Sequence, residues 1–298
     1  GSGNTGAEIA YTPAADFNGS DSFMVRVGDG EYTDQAAVNV TVNPVDDAPR
    51  GADDYVVIVP GDAGLPITLD VTANDDEVDG QALVLNAVGV PGLSGAARLS
   101  GGQVVYTPTL ALGETETFTY TVADGGLTDT AVIHAAMVAG DESGSPGETL
   151  VNTNLGDNSS IDLTIDIPGN AAPGDAQMTL VYSETAVTDD APTGFTVAGL
   201  AFTLHAYEDG VFTSPYTLAN PMTLTIEYSD ADVADIAQGE ESLLLYYWSG
   251  DEWLSDGITP VQRDTDNNRL VFTINHLTDF ALFGGDEYQI YLPITVRP

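Results

Sequence analysis

The chain has 298 residues, which at about 100–200 residues per domain predicts two or three domains. It carries 46 acidic and 6 basic residues, all six of them arginine, for a net charge of −40. That charge repels nucleic acid and anionic lipid, which excludes both as partners, and it favours divalent cations or a high-salt habitat. Apolar residues make up 43% of the chain, enough to fill cores, and the lack of cysteine excludes disulfides and zinc–thiolate sites.

Targeting and membrane signals are missing from the sequence as given. No stretch approaches the roughly 18 consecutive apolar residues of a membrane span. The first residues, Gly1-Ser2-Gly3, lack the basic and apolar regions of a signal peptide. We therefore expect either a mature fragment or an export signal that lies further upstream.

A repeat with an offset of 95 residues covers the first half of the chain. The matching positions are Tyr11 and Tyr106, Phe23 and Phe118, Val27 and Val122, Asp29 and Asp124, and Thr33 and Thr128. A period of this size is that of one immunoglobulin-like sandwich domain. Apolar residues alternate within Ser22–Val27, which predicts a half-buried strand, and no window before position 140 has a helical period.

The first copy of the repeat is incomplete. The second copy begins near Ala48 and reaches Tyr106 after about 58 residues, whereas Tyr11 lies close to the start of the chain. Half a sandwich cannot bury its inner face, so the missing strands must come from upstream residues or from another chain. We therefore predict a partial repeat over residues 1–47 and a complete repeat over residues 48–140.

These repeats resemble a known family. The runs Tyr11–Phe23, Gly28–Gly30 and Val40–Pro49 resemble the tandem cadherin-like repeats of bacterial surface proteins. The segment Asp70–Gly80 resembles the acidic loop that those repeats carry near their start. The resemblance covers about residues 5–138 and implies extended extracellular stalks or adhesins, often with calcium at acidic loops.

Two groups of aspartates are candidate calcium ligands. The first group flanks Ala48-Pro49 at the junction of the repeats, and the second lies on the loop closed by Gly80. The candidates are Asp46, Asp47, Asp53, Asp54, Asp75, Asp76 and Asp79. Calcium takes six to eight oxygen ligands, which closely spaced carboxylates supply. No EF-hand spacing is present, and aspartates also cap solvated turns, so calcium sites and solvated turns both remain open.

A different domain follows the repeats. Residues 141–150 are polar and rich in Gly, Ser and Pro, which predicts a linker, and a second type of β-sandwich is predicted over residues 151–285. Ser160–Pro168 alternates with four aliphatic residues on one face, as a half-buried strand does. Further apolar runs predict strands over 177–182, 200–205, 222–228, 243–248 and 269–274, and Asp230–Ala237 predicts a short helical turn.

The end of this domain carries a second resemblance. Tyr247–Trp253 and Phe272–Leu282 resemble the proteolysis-site segment of the GAIN domain of adhesion receptors and, more loosely, the ZU5 domains. The resemblance implies that the tripeptide His276-Leu277-Thr278 breaks its own Leu–Thr bond. The histidine would take the hydroxyl proton, and the threonine oxygen would attack the leucine carbonyl to form an ester that water opens. The chain lacks the paired cysteines that brace the receptor motif, and the alternative is that these are ordinary strand-edge residues.

The last segment, residues 286–298, is predicted to be a tail strand. It alternates Tyr288, Ile290 and Leu292, so it has one apolar face. Such a strand would complete the half sandwich of a neighbouring copy, joined head to tail into a filament. The alternative is that the tail folds onto its own domain.

The sequence therefore predicts an all-β extracellular or cell-surface protein with a structural or adhesive role. It would combine tandem immunoglobulin-like (cadherin-like) sandwiches with a C-terminal β-sandwich of GAIN or ZU5 type. A calcium-dependent adhesin that binds a cell-surface ligand through its loops is one alternative, and an autoproteolytic module is another. An ordinary enzyme is not predicted, because the sequence has no G-x-S-x-G, P-loop or H-E-x-x-H motif.

Overall fold

The computed structural model describes residues 8–90, 92–155, 160–174, 177–187 and 190–285. These residues form β-strands, turns and two short 3-10 turns, which confirms the all-β prediction. Among the described residues, no helix has the length and apolarity needed to cross a membrane. The predicted tail strand, residues 286–298, lies outside the described residues.

The first unit is a single antiparallel hairpin. Its strands are β1 (Gly19–Gly28) and β2 (Thr33–Val42), and they form a separate two-stranded sheet. The turn between them is closed by Asp29, whose carboxylate accepts hydrogen bonds from the backbone N–H groups of Glu31 and Tyr32 at 3.0 and 2.8 Å. One face of the hairpin carries half-buried apolar side chains with no second sheet over them among the described residues.

The second unit is a seven-stranded sandwich. Its strands are β3 (Asp54–Ile58), β4 (Ile67–Leu69), β5 (Val84–Gly89), β6 (Ala96–Ser100), β7 (Gln103–Thr107), β8 (Thr115–Ala123) and β9 (Thr128–Met137). One sheet has the order β3-β9-β8-β5, and the other has the order β4-β7-β6. The core between the sheets contains Tyr106, Phe118, Tyr120 and Ile133, each at most 1% exposed.

The two units share one hairpin register. Phe23 pairs with Val38 across β1 and β2, and Phe118 pairs with Ile133 across β8 and β9. Both members of the second pair lie 95 residues after their counterparts, since 118 − 23 = 95 and 133 − 38 = 95. The offset read from the sequence is therefore also the offset of the strand pairing.

The third unit is a larger sandwich. Its strands are β10 (Glu142–Gly144), β11 (Thr149–Leu155), β12 (Ile161–Asp166), β13 (Met178–Glu184), β14 (Phe195–Glu208), β15 (Val211–Thr213), β16 (Tyr216–Glu227), β17 (Leu244–Trp248), β18 (Trp253–Leu254), β19 (Ile258–Asp264), β20 (Arg269–Leu277) and β21 (Asp279–Gly285). One sheet has the order β10-β13-β14-β21-β17-β18, with β15 paired to β14, and the other has the order β11-β12-β16-β20-β19.

The alternation predicted for residues 160–168 holds. Ile161, Leu163 and Ile165 point into the core of the third unit and are fully buried, because every second side chain of a strand faces the same side. The stretch predicted as a short helical turn, Asp230–Ala237, instead forms consecutive turns with main-chain bonds such as Ile236 N–H to Val233 O.

The segment predicted as a linker, 141–150, takes part in the third unit. It contains β10 and the first residues of β11. A turn between these strands is closed by the Glu148 carboxylate, which accepts from the Ser145 N–H at 2.7 Å. The Gly, Ser and Pro residues that suggested a linker thus form a turn between strands of two different sheets.

Candidate functional site

Carboxylates hold the entry segment of the second repeat. Residues 46–53 precede β3 and lack a continuous strand partner, so their N–H groups need other acceptors. The Asp47 N–H donates to Asp79 Oδ2 at 2.8 Å, and the Gly51 N–H donates to Asp129 Oδ2 at 3.0 Å. Arg50 and Asp76 exchange two main-chain hydrogen bonds, of 2.9 and 3.0 Å. Asp79, one of the predicted aspartates, thus has a structural role as an acceptor for the entry segment.

Two carboxylates, those of Asp46 and Asp124, lie at the β8–β9 turn near the start of the second repeat. The Asp46 carboxylate accepts a hydrogen bond from the Gln81 side chain and lies beside the β8–β9 turn, since a Cβ on Gly126 would sit 3.6 Å from Asp46 Oδ2. In that turn, Asp124 is 4% exposed, and its Oδ1 accepts from the Gly126 and Leu127 N–H groups. The second Asp124 oxygen is buried and has no hydrogen-bond partner.

A second group of oxygens lies at the start of β3. Asp54 is 5% exposed, and its Oδ1 accepts from Gln177 Nε2 at 2.7 Å, whereas its Oδ2 is buried without a partner. Asp75 Oδ1 accepts from the Ala52 N–H at 2.8 Å, and its Oδ2 is also buried without a partner. Asn74 repeats this pattern, because its amide donates to the Asp53 carbonyl while its Oδ1 is buried and unpartnered.

This second group holds more acceptors than donors. The Tyr120 hydroxyl lies 2.7 Å from Asp75 Oδ1 and 2.9 Å from the Ala52 carbonyl, with a single proton to donate. Burial raises the pKa of Asp54 to about 6, and the charge of Asp75 adds to the rise. Burial also raises the pKa of Asp75. A buried group in which acceptors outnumber donors is stabilised when a proton or a cation binds to it, since unsatisfied buried polar groups are rare and costly.

Five of the seven predicted calcium ligands lie in two neighbourhoods, which divide them differently from the two predicted groups. Asp46, Asp47 and Asp79 lie near the first-repeat junction, while Asp54 and Asp75 lie at the start of β3. Asp53 accepts from the Val132 N–H at 3.0 Å and lies 3.5 Å from His134 Nε2, and Asp76 bonds through its main chain. Within the described ranges, no three Asp, Glu or His side chains converge as a ready-made metal centre.

Sequence reasoning missed four residues of these groups: Asp124, Asn74, Tyr120 and Gln177. Asp124 had a signal, because it is an anchor of the repeat and follows a strand at a Gly-Gly turn. Gln177 had none, since it lies in another domain, 123 residues after Asp54.

The predicted self-cleavage tripeptide lies where β20 turns into β21. The Thr278 hydroxyl donates to the Trp248 carbonyl at 3.0 Å rather than to the imidazole of His276. His276 Nδ1 lies 3.0 Å from the Asn275 side-chain oxygen, which places the proton on Nδ1 and leaves the buried, unpartnered Nε2 as an acceptor. Burial lowers the pKa of His276 below its usual value, so the ring is neutral at pH 7.

Two family models match the chain. Residues 46–139 match the bacterial cadherin-like domain, and residues 1–41 match the bacterial Ig domain. The prediction of tandem immunoglobulin-like repeats related to cadherin-like domains is confirmed by these matches. No curated protein matches the chain.

Solved structures with similar architecture are only distantly similar. An endo-fucoidan hydrolase of glycoside hydrolase family 107 is 13% identical over 73% of this chain and 33% of its own, with a TM-score of 0.24. Protocadherin Gamma C5 EC1-3 is 16% identical over 70% of this chain and 72% of its own, with a TM-score of 0.23. Sidekick-1 immunoglobulin domains 1-4 are 12% identical over 90% of this chain and 87% of their own, with a TM-score of 0.21. The chain thus spans a third of the length of the hydrolase, and the low TM-scores carry no functional argument.

Proposed function

We propose that this chain is part of an extracellular bacterial surface protein with a structural or adhesive role. The support is the pair of matches to bacterial cadherin-like and bacterial Ig domains, neither of which is a catalytic family. Stacked β-sandwiches place their loops at the ends of each domain, where junctions and ligand sites form. Asp46, Asp47 and Asp79 lie at one such end, beside the turn that carries Asp124.

Calcium binding at the junction of the first and second repeats is part of this proposal. The observation that carries it is Asp124, a buried carboxylate whose second oxygen has no donor. Asp46 lies beside the Asp124 turn, and Asp47 is bonded to Asp79. Oxygen ligands of this kind suit calcium, and an ion held by Asp46, Asp79 and Asp124 would stiffen the junction.

The test is a thermal melt with and without a calcium chelator. Chelation should lower the melting temperature of the second repeat by several degrees, because an ion bound only to the folded state stabilises it. Asp124→Asn keeps the amide-accepting oxygen but removes the charge, and it should abolish the response to chelator. The matched control is Asp29→Asn, which changes the equivalent turn of the first repeat. A melt that is indifferent to chelator at low salt, or stabilised equally by sodium chloride, contradicts the calcium proposal.

Self-cleavage between Leu277 and Thr278 is a second candidate function. It is favoured by the unpartnered, neutral Nε2 of His276, an available proton acceptor two residues from the hydroxyl. A cavity of about 150 Å³ lined by Leu277, Thr278 and Asp279 among others gives space for the water that would open the ester. Mass spectrometry of the denatured chain should then show a fragment that begins at Thr278, and Thr278→Ala should remove it. A single intact mass after long incubation excludes the reaction.

We also propose that the chain assembles with neighbouring copies of itself. It is favoured by the hairpin β1–β2, whose apolar face has no covering sheet among the described residues. Donation of the tail strand by the next copy would cover that face and extend into a filament, because a head-to-tail contact does not close. Deleting residues 286–298 should abolish the polymer and leave the third unit folded. Polymers that form equally well without the tail contradict strand donation.

A further inference from the structure

The two junctions of the chain begin at equivalent positions of the repeat. β2 ends at Val42 and β9 ends at Met137, and 137 − 42 = 95, which is the offset of the repeat. Residues 43–46, the first junction segment, lead from the first unit into the second repeat. Residues 138–141, the second junction segment, lead from the second repeat into the third unit. The two segments can therefore be compared position by position.

The first junction segment lies in solvent. All four of its residues are exposed, and Val45 is 72% exposed. Its Asp46 carboxylate accepts a hydrogen bond from the side chain of Gln81. A segment that is held by polar contacts at the surface leaves the two domains free to move relative to each other, which is the usual behaviour of domains without a large apolar interface.

The second junction segment belongs to an apolar cluster that both flanking domains share. Val138 of the segment packs against a cluster formed by Val57 and Val59 of the second repeat and Val181 of the third unit. Each of the last three valines is at most 6% exposed. Tyr207 of β14 packs against the same cluster. Because this apolar area leaves water only when the domains are in contact, the cluster favours one relative position of the two domains.

The fit at Gly140 leaves no room for a Cβ unless neighbouring side chains move. An added Cβ would lie 2.3 Å from Val181 Cγ1 and 3.0 Å from Val59 Cγ1. The equivalent position of the first junction segment is Val45, since 140 − 45 = 95. A valine is thus accommodated in solvent at one junction, whereas the close approach of the two domains requires glycine at the other.

Main-chain hydrogen bonds fix the second junction segment on both sides. The Val138 N–H donates to the Ile58 carbonyl of the second repeat at 2.8 Å. The Asp141 N–H donates to the Tyr182 carbonyl of the third unit at 2.8 Å, and the Asp141 carboxylate accepts from the Glu184 N–H at 2.6 Å. The segment is therefore bonded to both domains within four residues.

Gln177 of the third unit adds a polar link to β3. Because β3 is the edge strand of its sheet, its outer N–H groups need acceptors from elsewhere. Gln177 Oε1 accepts from the Tyr55 N–H at 2.8 Å, and Gln177 Nε2 donates to Asp54 Oδ1 at 2.7 Å. The main chain of Gln177 is itself held by Asp209, through bonds of 3.0 and 2.9 Å. One amide of the third unit thus covers the edge of the second repeat at two consecutive residues.

We propose that the second repeat and the third unit form one rigid body, held by apolar packing and hydrogen bonds rather than by an ion, and that the chain bends at the first junction segment. The contacts of residues 138–141 and of Gln177 carry the rigid body, which is independent of the proposed function. The role of calcium rests on the proposed function: an ion at the Asp124 turn would set the angle of a single hinge, beyond which the second repeat and the third unit move together.

The two junctions should differ in how they respond to ions. Asp46 and Asp47 are exposed carboxylates at the first junction, and dissolved cations screen the repulsion between exposed charges. The second junction depends on the burial of valine side chains and on main-chain hydrogen bonds, neither of which requires a cation. Ionic conditions should therefore act on the first junction and leave the second unchanged.

Spin labels test the rigid body in the full chain, which has no native cysteine. Labels on Leu112→Cys and Val261→Cys report the distance across the second junction, and labels on Ser20→Cys and Leu112→Cys report the distance across the first. All three positions are exposed, and an excess of unlabelled chain suppresses contacts between labelled copies. In chelator at low salt, double electron–electron resonance should give a narrow distance distribution across the second junction and a broad one across the first.

Substitutions in the contact should release the third unit. Gly140→Val places a side chain where the two domains approach most closely, so it should broaden the second-junction distribution with and without calcium. The matched control is Val45→Gly, the reverse change at the equivalent position, which should leave that distribution narrow. Gln177→Leu removes the polar link but keeps the apolar cluster, so it should broaden the distribution less than Gly140→Val does. Gln262→Leu, at an exposed position of the third unit, should have no effect.

Addition of calcium separates this inference from the proposed function. If calcium narrows the first-junction distribution alone, and Asp124→Asn abolishes that narrowing, both proposals are supported. If calcium changes neither distribution, the calcium proposal fails while the rigid body stands. A second-junction distribution that is broad in chelator, or that stays narrow in both Gly140→Val and Gln177→Leu, would overturn the rigid body. A narrow first-junction distribution in chelator would overturn the hinge.

Discussion

The hairpins β1–β2 and β8–β9 are the same local structure in two different surroundings. Both pair a phenylalanine with an aliphatic residue at equivalent positions, and both close their turn through an aspartate that accepts two main-chain hydrogen bonds. Phe118 is 1% exposed, whereas Phe23 is only half-buried. Register therefore follows from local alternation and the turn, while burial depends on whether a second sheet is present.

The two repeats also share a hydrogen bond from a tyrosine hydroxyl to a carboxylate. The Tyr11 hydroxyl donates to Asp21, and the Tyr106 hydroxyl donates to Glu116, again at an offset of 95, since 106 − 11 and 116 − 21 both equal 95. The rings of Tyr11 and Phe23 stack with centroids 6.0 Å apart, and their counterparts lie 4.9 Å apart. The first unit thus keeps the side-chain pairs of the repeat without its closed core.

The largest expected difference concerns the paired phenylalanines. Phe118→Ala should lower the free energy of unfolding of the second repeat by about 3–5 kcal/mol, because it removes a fully buried ring. Phe23→Ala should lower the free energy of unfolding of the first unit by less than about 1 kcal/mol, since the Phe23 ring has no sheet over it. Urea denaturation of both variants measures the difference, and equal losses would show that the first unit has a closed core in solution.

A smaller difference is expected for the paired turn aspartates. In calcium-free buffer, Asp124→Ala should lower the free energy of unfolding of the second repeat by about 1–3 kcal/mol, because two main-chain donors lose a charged acceptor in a buried turn. The same change at Asp29, where the turn is exposed, should leave the unfolding transition unmoved. A comparable loss of unfolding free energy at both positions would mean that the two turns contribute equally to stability.

The smallest effect is a pH dependence. Burial and the hydrogen bond to Glu116 raise the pKa of Tyr106 above its usual value of 10.0. A tyrosine whose pKa is raised by folding stabilises the protein below the unfolded pKa, and this stabilisation is lost as the pH rises above about 10. Tyr106→Phe should therefore reduce the fall in melting temperature between about pH 9 and about pH 11. Tyr11→Phe should reduce it less, because the Tyr11 hydroxyl is exposed and its pKa is raised chiefly by the hydrogen bond to Asp21. If the melting temperature of Tyr106→Phe falls with pH as steeply as that of the wild-type chain, Tyr106 does not contribute to the pH dependence.

Sequence patterns predicted what depends on local periodicity. The alternation of Ile161, Leu163 and Ile165 and the 95-residue offset both reappear in the structure, because strand geometry fixes which side chains share a face. Spacing along the sequence predicted two groups of aspartates, but the approach of Asp79 to Asp47 and of Asp75 to Asp54 depends on how distant loops meet. Neither the Asp54–Gln177 contact nor the bond from Thr278 to the Trp248 carbonyl leaves a trace in spacing, since each joins residues that only tertiary packing brings together.

The most direct test of the proposed function is whether the chain binds calcium at the Asp124 turn. Isothermal titration of the calcium-free chain at low salt should show a calcium site that Asp124→Asn removes and that Asp29→Asn leaves in place. A chain that binds no calcium, or that binds it unchanged in Asp124→Asn, would contradict the proposal.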